Sequence, residues 1–122
     1  MSLQAVANQF VELCNQGRNF DVMHTMYDPD IVSVEGDGTE TRGKAAVIQK
    51  SERWAADHTI HGETVRGPYF NGLEEFAVHI TFDVTRNAGG QRKTLEEVAI
   101  YTVKGDKITW ERFFYSGSWG AS

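Results

Sequence analysis

Apolar residues in the first half of the chain recur at the spacing of an α-helix. An apolar side chain returns every three or four positions across Leu3–Leu13, which predicts a first helix. Gly17 ends this helix, because glycine adopts the left-handed conformation found after helix C-termini. A short second helix is predicted from Asp21 to the segment Asp28-Pro29-Asp30, which ends it because proline lacks an N–H group. A third helix is predicted from Gly43 to about Asp57.

The second half of the chain changes to the alternation typical of β-strands. Apolar and polar residues alternate without interruption over Phe76–Thr85. Four more segments carry strand-forming residues and are predicted as strands: Ile31–Val34, Thr59–Arg66, Lys93–Val103 and Lys107–Ser116. The segment Lys104-Gly105-Asp106 predicts a tight hairpin between the last two. This order of elements indicates one α+β domain over residues 1–122, with the helices on one face of a mostly antiparallel sheet.

Composition and charge narrow the classes of function. The chain has 122 residues, of which 40% are hydrophobic and 24% are charged, as in a folded globular domain. Its net charge is −5 and it has no run of Lys and Arg, so neither nucleic acid nor an anionic membrane is expected as a partner. No apolar stretch is long enough to span a membrane, no secretory leader is recognisable, and the single Cys14 has no internal disulfide partner. These features predict a cytoplasmic protein.

Several segments carry a family resemblance that spans nearly the whole chain. They are Phe10–Gly17 in the first helix, Met26–Val34 at the first strand, Arg42–Val47 at the third helix, and Tyr101–Ile108 with Glu111–Tyr115 in the final hairpin. Their order and spacing resemble the SnoaL-like branch of the nuclear transport factor 2-like superfamily. The resemblance implies a cone-shaped, curved, mostly antiparallel sheet wrapped around three N-terminal helices, a cystatin-like α+β barrel with a hydrophobic pocket. It also implies a homodimer formed through the convex face of the sheet.

The last predicted strand supports the homodimer without reference to any family. Phe113 and Tyr115 share one face of this strand, and Trp110 and Phe114 share the other. Both faces are therefore largely apolar. A face open to water would carry polar residues. The convex face is therefore expected to be covered, most simply by a second copy of the chain.

The resemblance places Glu111, Phe113 and Tyr115 on the concave face of the sheet. A three-residue hairpin loop would then bring Glu97 onto the same face, as a diagonal neighbour of Glu111 on the adjacent strand. A loop that differs by one residue would exchange Glu97 for Glu96. We favour the first register.

Glu97 and Glu111 are the candidate catalytic residues. Burial raises the pKa of a carboxyl group, and a second carboxylate nearby raises one of the two further. Such a pair can supply a general acid and a general base near neutral pH. The structural alternative is that Glu97 pairs with Lys93 or Arg112, or lies at the wet rim of the cone.

Six more residues are candidate ligand contacts: Tyr27, Trp54, His58, Tyr101, Phe113 and Tyr115. Trp54 shares one side of the third helix with His58, although core packing explains the tryptophan equally well. His58 is placed to shuttle protons at the mouth, although the helix dipole alone accounts for a histidine at a helix end. Phe10 occupies a position where ketosteroid isomerase-like relatives carry a tyrosine, so that hydrogen-bond donor is absent here.

Three other polar residues have less specific interpretations. The resemblance places Glu35 one residue away from the proton-abstracting carboxylate of ketosteroid isomerase-like relatives, and we interpret it instead as an exposed residue at the end of the first strand. His79 and Asp83 share one strand face, and the sequence leaves open whether that face is turned into the cavity. The histidines lack the spacing of metal ligands, so no metal is expected, and the resemblance implies chemistry without a cofactor.

The sequence therefore predicts a protein that binds a small, partly apolar organic molecule in its cone. As an enzyme it would be a cofactor-independent isomerase, cyclase, dehydratase or hydrolase that uses pocket carboxylates. The alternative is a non-catalytic ligand-binding or protein-interaction module of the same fold. The sequence leaves open the choice between turnover and binding alone.

Overall fold

The computed structural model describes residues 2–115, which form three helices and six strands. The helices are α1 (Leu3–Asn15), α2 (Asn19–Met26) and α3 (Lys44–Asp57). The strands are β1 (Tyr27–Val34), β2 (Glu40–Arg42), β3 (His58–Asn71), β4 (Glu75–Arg86), β5 (Arg92–Lys104) and β6 (Lys107–Phe114). The predicted α+β class is therefore confirmed.

Local signals determine where α1 begins and ends, and Gly17 ends it as the sequence predicts. The Ser2 hydroxyl accepts a hydrogen bond from the backbone N–H of Ala5 at 3.1 Å, which caps the first turn. Gly17 follows the last turn with φ = 75°, a conformation that costs a residue with a Cβ atom about 1 kcal/mol. The apolar side of the helix buries Val6 and Phe10 in the core.

The six strands form one curved, open, mixed sheet in the order β2-β1-β6-β5-β4-β3. β1 lies parallel to β6, whereas all other neighbouring strands are antiparallel. Register shifts in β3 and in the β5–β6 pair interrupt regular pairing, and such bulges bend a sheet. α1 packs against β3, β4 and β5, and α3 packs against β1 and β3, so the helices cover the concave face.

The β5–β6 hairpin determines which side chains of β6 point inward. Lys104 pairs with Lys107, so the loop has two residues rather than the predicted three. A bulge at Thr109 then shifts the ladder by one position, and Tyr101 pairs with Glu111. The bulge compensates for the shorter loop, and the inward face of β6 is the predicted one.

Other differences from the predicted elements have physical causes. β1 begins at Tyr27, directly after α2, rather than at Ile31, because the segment before Ile31 runs extended beside β6. β3 extends to Asn71 because β4 provides pairing partners along its length. The three-residue β2 was not predicted, because its polar sequence forms a strand only against the edge of β1. The predicted end of the last strand, Ser116, lies outside the described residues.

The core lies between the helices and the concave face of the sheet. It contains aliphatic and aromatic side chains from every helix and from all strands except β2. Within residues 2–115, three polar side chains are also buried: Ser33, Glu97 and Glu111. Burial of a carboxyl group costs free energy unless its surroundings compensate. The two buried glutamates therefore indicate a candidate functional site. In the described part of the chain, no helix has the length and apolar character needed to cross a membrane.

Candidate functional site

A cavity of about 580 Å³ lies between the concave face of the sheet and the helices. Buried side chains line its inner end: Phe10, Tyr27, Ile80, Phe82, Glu97, Tyr101, Glu111 and Phe113. Residues that are exposed or half-buried line its mouth, and they include Gly17, Phe20, Ser51, Trp54, Ile60 and Glu63. This volume is within the range of natural sites for small organic molecules.

Glu111 lies at the inner end of the cavity, where both of its carboxylate oxygens accept hydrogen bonds. Ser33 is its register partner on β1, and the Ser33 hydroxyl donates to Oε2 at 2.6 Å. The Tyr27 hydroxyl donates to Oε1. Burial raises the pKa of Glu111, whereas these two hydrogen bonds favour the carboxylate and oppose the increase. Glu111 is therefore a fixed hydrogen-bond acceptor.

Lys50 on α3 connects Glu111, through Ser33, to Glu35 just after β1. Lys50 Nζ donates to the Ser33 hydroxyl at 2.9 Å and forms an ion pair with Glu35. The side chains of Lys50 and Glu35 are each 14% exposed, so this ion pair is largely removed from water. The Tyr115 hydroxyl donates to the other oxygen of Glu35 at 3.1 Å. A continuous polar network therefore runs from Tyr115 to Glu111.

Glu97 lines the same cavity in a very different environment. It is 4% exposed, and its Oε2 atom is buried without a hydrogen-bond partner among residues 2–115. Burial raises the pKa of Glu97 to about 8, and nearby Glu35, Glu111 and Glu63 raise it as well. Lys50 opposes this shift only in part. At neutral pH the side chain is mainly the uncharged acid, which can donate a hydrogen bond into the cavity.

A third carboxyl group, that of Glu63 on β3, lies nearer the mouth. Its Oε2 accepts a hydrogen bond from the Asn19 side chain at 2.9 Å. Burial nevertheless raises the pKa of Glu63 to about 7, because one hydrogen bond compensates only part of the desolvation. Glu97 and Glu63 therefore both titrate at pH values in or near the physiological range.

Aromatic side chains form much of the wall between these acids. The rings of Phe10 and Tyr101 have their centroids 4.5 Å apart, and Trp54 lies 5.7 Å from Phe82. Burial and nearby Glu111 raise the pKa of Tyr101 well above its ordinary value, so its hydroxyl remains a donor at any physiological pH. Tyr101 therefore presents a phenol beside Phe10, which itself has no donor.

A model of the SnoaL-like domain matches residues 1–115. The chain belongs to the SnoaL-like family. The family resemblance drawn from the sequence is thereby confirmed. Among curated proteins, none matches this SnoaL-like chain significantly.

Solved structures share the fold of this SnoaL-like protein. One, named as a candidate SnoaL-like polyketide cyclase from Mesorhizobium loti, is 44% identical, with 94% of this chain and 100% of that chain covered and a TM-score of 0.88. A protein with a cystatin-like fold from Xanthomonas campestris is 16% identical, with 96% and 92% covered and a TM-score of 0.76. A protein with a ketosteroid isomerase-like fold from Catenulispora acidiphila, in complex with trimethylamine, is 15% identical, with 91% and 85% covered and a TM-score of 0.73. The last two comparisons concern the fold alone.

The SnoaL-like structure brings most of the predicted site residues together. The cavity lining contains both candidate catalytic residues, Glu97 and Glu111, and four of the candidate ligand contacts: Tyr27, Trp54, Tyr101 and Phe113. Glu97 faces inward as predicted, but it is not a diagonal neighbour of Glu111. Tyr101 is the register partner of Glu111, and Glu97 lies four residues before Tyr101 in β5.

Two predicted ligand contacts, His58 and Tyr115, are not among the lining residues. His58 begins β3, where its ring stacks on Trp54 with centroids 4.2 Å apart and its Nδ1 lies 2.8 Å from the Trp54 carbonyl oxygen. Tyr115 follows β6, and its ring covers Gly36 while its hydroxyl binds Glu35. Tyr115 therefore joins the polar network of the site through Glu35.

Sequence reasoning missed several polar residues of the site. Lys50 lies three residues after Val47 and four before Trp54, so its helical spacing was a signal that it shares their side of α3. The interpretation of Glu35 as exposed was wrong, because Lys50 and Tyr115 bind it. Glu63 had no sequence signal, since the bulge in β3 changes the face on which each following residue lies.

The remaining polar candidates point away from the cavity. His79 contacts Arg66 at 3.2 Å on the outer face of the sheet. Asp83 forms a bidentate ion pair there with Arg92, with N···O distances of 2.9 and 2.8 Å. No group of three or more metal-ligating side chains is found in the part of the chain that the structure describes.

Proposed function

We propose that this protein binds a small, partly apolar organic molecule in the cavity and performs acid–base chemistry on it without a cofactor. Glu97 is the proton donor and Glu111 is the proton acceptor. The observation that carries this proposal is the buried, unpartnered Oε2 atom of Glu97, a residue that lines the cavity. A buried polar atom costs free energy unless a partner is supplied, and a bound ligand would supply one.

The different surroundings of the two acids support different roles. Glu97 holds its proton at pH 7 because it is buried among other carboxyl groups. Glu111 receives hydrogen bonds from Tyr27 and Ser33, which favour its ionised form. The surroundings of Glu97 therefore favour the role of acid, and the hydrogen bonds to Glu111, which oppose the effect of its burial on the pKa, favour the role of base.

A carbonyl compound illustrates the chemistry that this pair supports. Glu97 would donate a hydrogen bond to the carbonyl oxygen, while Glu111 removes a proton from the adjacent carbon. The electron pair of the broken C–H bond then enters the enolate, whose oxygen Glu97 stabilises. Delivery of the proton from Glu111 to a different carbon of a conjugated enolate completes an isomerisation. In a cyclisation, the enolate carbon attacks a second carbonyl of the same molecule, and the alkoxide that forms takes the proton.

Proton exchange in D₂O tests this proposal without knowledge of the natural substrate. A panel of cyclic and aryl ketones is incubated with the protein, and loss of the α-proton signal is followed by NMR. Acid–base groups typically contribute about 10²–10⁴-fold to rate, so Glu97→Gln and Glu111→Gln should each reduce exchange by at least about 100-fold. The matched control is Glu96→Gln, because Glu96 is the neighbouring acid with its side chain 66% exposed.

Binding is measured on the same ketones by saturation-transfer NMR. Ser51 lines the mouth, so Ser51→Trp should obstruct entry, whereas Ser51→Ala should not. Ketones that bind without any exchange above the buffer rate would remove the catalytic roles and leave the non-catalytic binding module. Failure of every ketone to bind would contradict the proposal as a whole.

The proposal includes a homodimer through the convex face. Val98 and Phe114 are register partners on β5 and β6, and they are 41% and 45% exposed. A second copy would cover this apolar pair, as the sequence predicts. Sedimentation velocity should show a dimer that Val98→Lys dissociates, whereas Leu73→Lys, in the exposed β3–β4 turn, leaves it intact. A monomer at every concentration would contradict this part.

A further inference from the structure

We propose that the ligand of this cavity carries a positively charged nitrogen, as an ammonium or alkylated amine, attached to an apolar body. This inference rests on the proposed function, because it assigns a chemical class to the ligand of the same cavity. It keeps the binding part of that function and replaces the part in which Glu97 donates a proton, because a bound cation favours the ionised form of Glu97.

The first observation is the imbalance of charged groups around the cavity. Glu63, Glu97 and Glu111 all line it, and neither lysine nor arginine is present among the described lining residues. The one basic side chain in the lining, His61, is exposed at the mouth and contacts Thr85 at 2.7 Å. Three acids without a cationic counterpart are unusual in a cavity of low dielectric constant.

The nearest cation of the protein is already engaged elsewhere. Lys50 forms its ion pair with Glu35 and donates to Ser33, and its Nζ lies 5.5 Å from the centroid of the Phe113 ring. Phe113 lines the cavity, whereas Lys50 does not. Lys50 therefore forms its ion pair with Glu35, and the described lining residues supply neither lysine nor arginine to the acids of the cavity.

The second, independent observation is the buried Oε2 of Glu97. The atom has no partner among residues 2–115, although Glu97 is only 4% exposed. The charged groups that act on Glu97 are Glu35 after β1, Glu63 on β3, Glu111 on β6 and Lys50 on α3, and three of these four are acids. A cation placed against this oxygen would stabilise the ionised form of Glu97 and displace its proton.

The walls of the cavity suit an alkylated cation as well as its apolar body. Phe82, Trp54 and Tyr101 line the space between the acids. The faces of aromatic rings attract cations, and this attraction is stronger where water is excluded. An alkylammonium group therefore finds both carboxyl groups and aromatic faces within one enclosed space.

A matched pair of compounds isolates the charge. Benzyl(2-hydroxyethyl)dimethylammonium has a permanent positive charge, and 3,3-dimethyl-4-phenylbutan-1-ol is its neutral carbon isostere. Binding of both to the intact protein is measured by NMR titration at pH 6, 7, 8 and 9. A quaternary nitrogen has no proton to lose, so any change of its affinity with pH reports on the protein.

The cation should bind at least tenfold more tightly than its isostere at pH 8, and its affinity should rise at least tenfold between pH 6 and 9. The rise reflects ionisation of Glu97 and Glu63, whose pKa values of about 8 and 7 lie in this interval. Glu97→Gln should remove most of the preference and leave the affinity for the neutral compound within about twofold. Glu96→Gln should change neither affinity.

Equal affinities, or a preference for the neutral compound, would overturn the inference and leave the proposed function standing. Failure of both compounds to bind would count against the inference and also against a pocket for small apolar molecules. A preference for the cation that persists unchanged in Glu97→Gln and in Glu63→Gln would also overturn it. The charge would then be recognised elsewhere on the protein.

Discussion

Glu97→Gln should abolish a large part of the dependence of folding stability on pH. The pKa of Glu97 rises from 4.5, the ordinary value, to about 8 in the folded protein. Between these two values the folded state holds the proton and the unfolded state releases it. The free energy of unfolding therefore decreases as the pH rises through this window. Below the window the contribution of Glu97 is fully present, and above about pH 8 it is lost.

The size of this effect follows from the shift in pKa. One pKa unit corresponds to about 1.4 kcal/mol, so a group that shifts from 4.5 to about 8 loses about 5 kcal/mol of stabilisation across the window. Such a loss is comparable with the whole stability of many domains of this size. Glutamine preserves the shape of the side chain but cannot ionise.

Urea unfolding of the wild type and of Glu97→Gln at half-unit steps from pH 5 to 9 measures the difference directly. The stability of the wild type relative to the variant should fall by about 1.3 kcal/mol per pH unit near pH 6 to 7 and level off above pH 8. Glu63 and Glu111 also have raised pKa values, but both residues are present in both proteins. Their contributions therefore largely cancel in the difference between the two free energies of unfolding. Parallel stability curves for the two proteins would refute a buried, protonated Glu97, and Glu96→Gln should run parallel to the wild type.

Three other substitutions test the polar network and the sheet. Tyr27→Phe removes one of the two donors to Glu111 and should reduce the free energy of unfolding by about 2 kcal/mol in urea unfolding. Lys50→Met leaves Glu35 without its cation in a largely buried place and should reduce the free energy of unfolding by about 3 kcal/mol at pH 7; an unchanged free energy would contradict the importance of this ion pair. Gly67→Ala should lower the melting temperature by several degrees in calorimetry, because φ is +128° and the new Cβ would lie 3.0 Å from a backbone oxygen; an unchanged temperature would contradict this strain.

The regular parts of the fold follow from local pattern. The alternation along Phe76–Thr85 was sufficient to predict β4, because the period of a strand alone decides which residues share a face. The helix around Phe10 was equally clear, since its apolar stripe and its terminal residues agree. The period of a strand also placed Glu97 and Glu111 on one face, but it was the family resemblance that assigned this face to the cavity.

The features that the sequence analysis predicted wrongly or missed depend on contacts between distant segments or on irregular strand pairing. The loop length of the last hairpin was wrong, and the inward position of Glu97 survived only because the bulge at Thr109 restored the face. The Lys50–Glu35 pair joins α3 to the end of β1, and no local pattern encodes such a meeting. Glu63 enters the cavity through an irregularity of β3, which the period of a strand cannot anticipate.

The bulge at Thr109 also has a consequence for how cavities of this kind can diversify. If one residue were inserted before Glu111 and the β5–β6 pairing shifted by one position, Arg112 and Phe114 would face inward and Glu111 would face outward. The wall would then present a guanidinium group where it now presents a carboxyl group, although no existing amino acid had been replaced. Natural variation in the length of this hairpin is therefore a route by which one scaffold can reverse the polarity of the molecules it accepts.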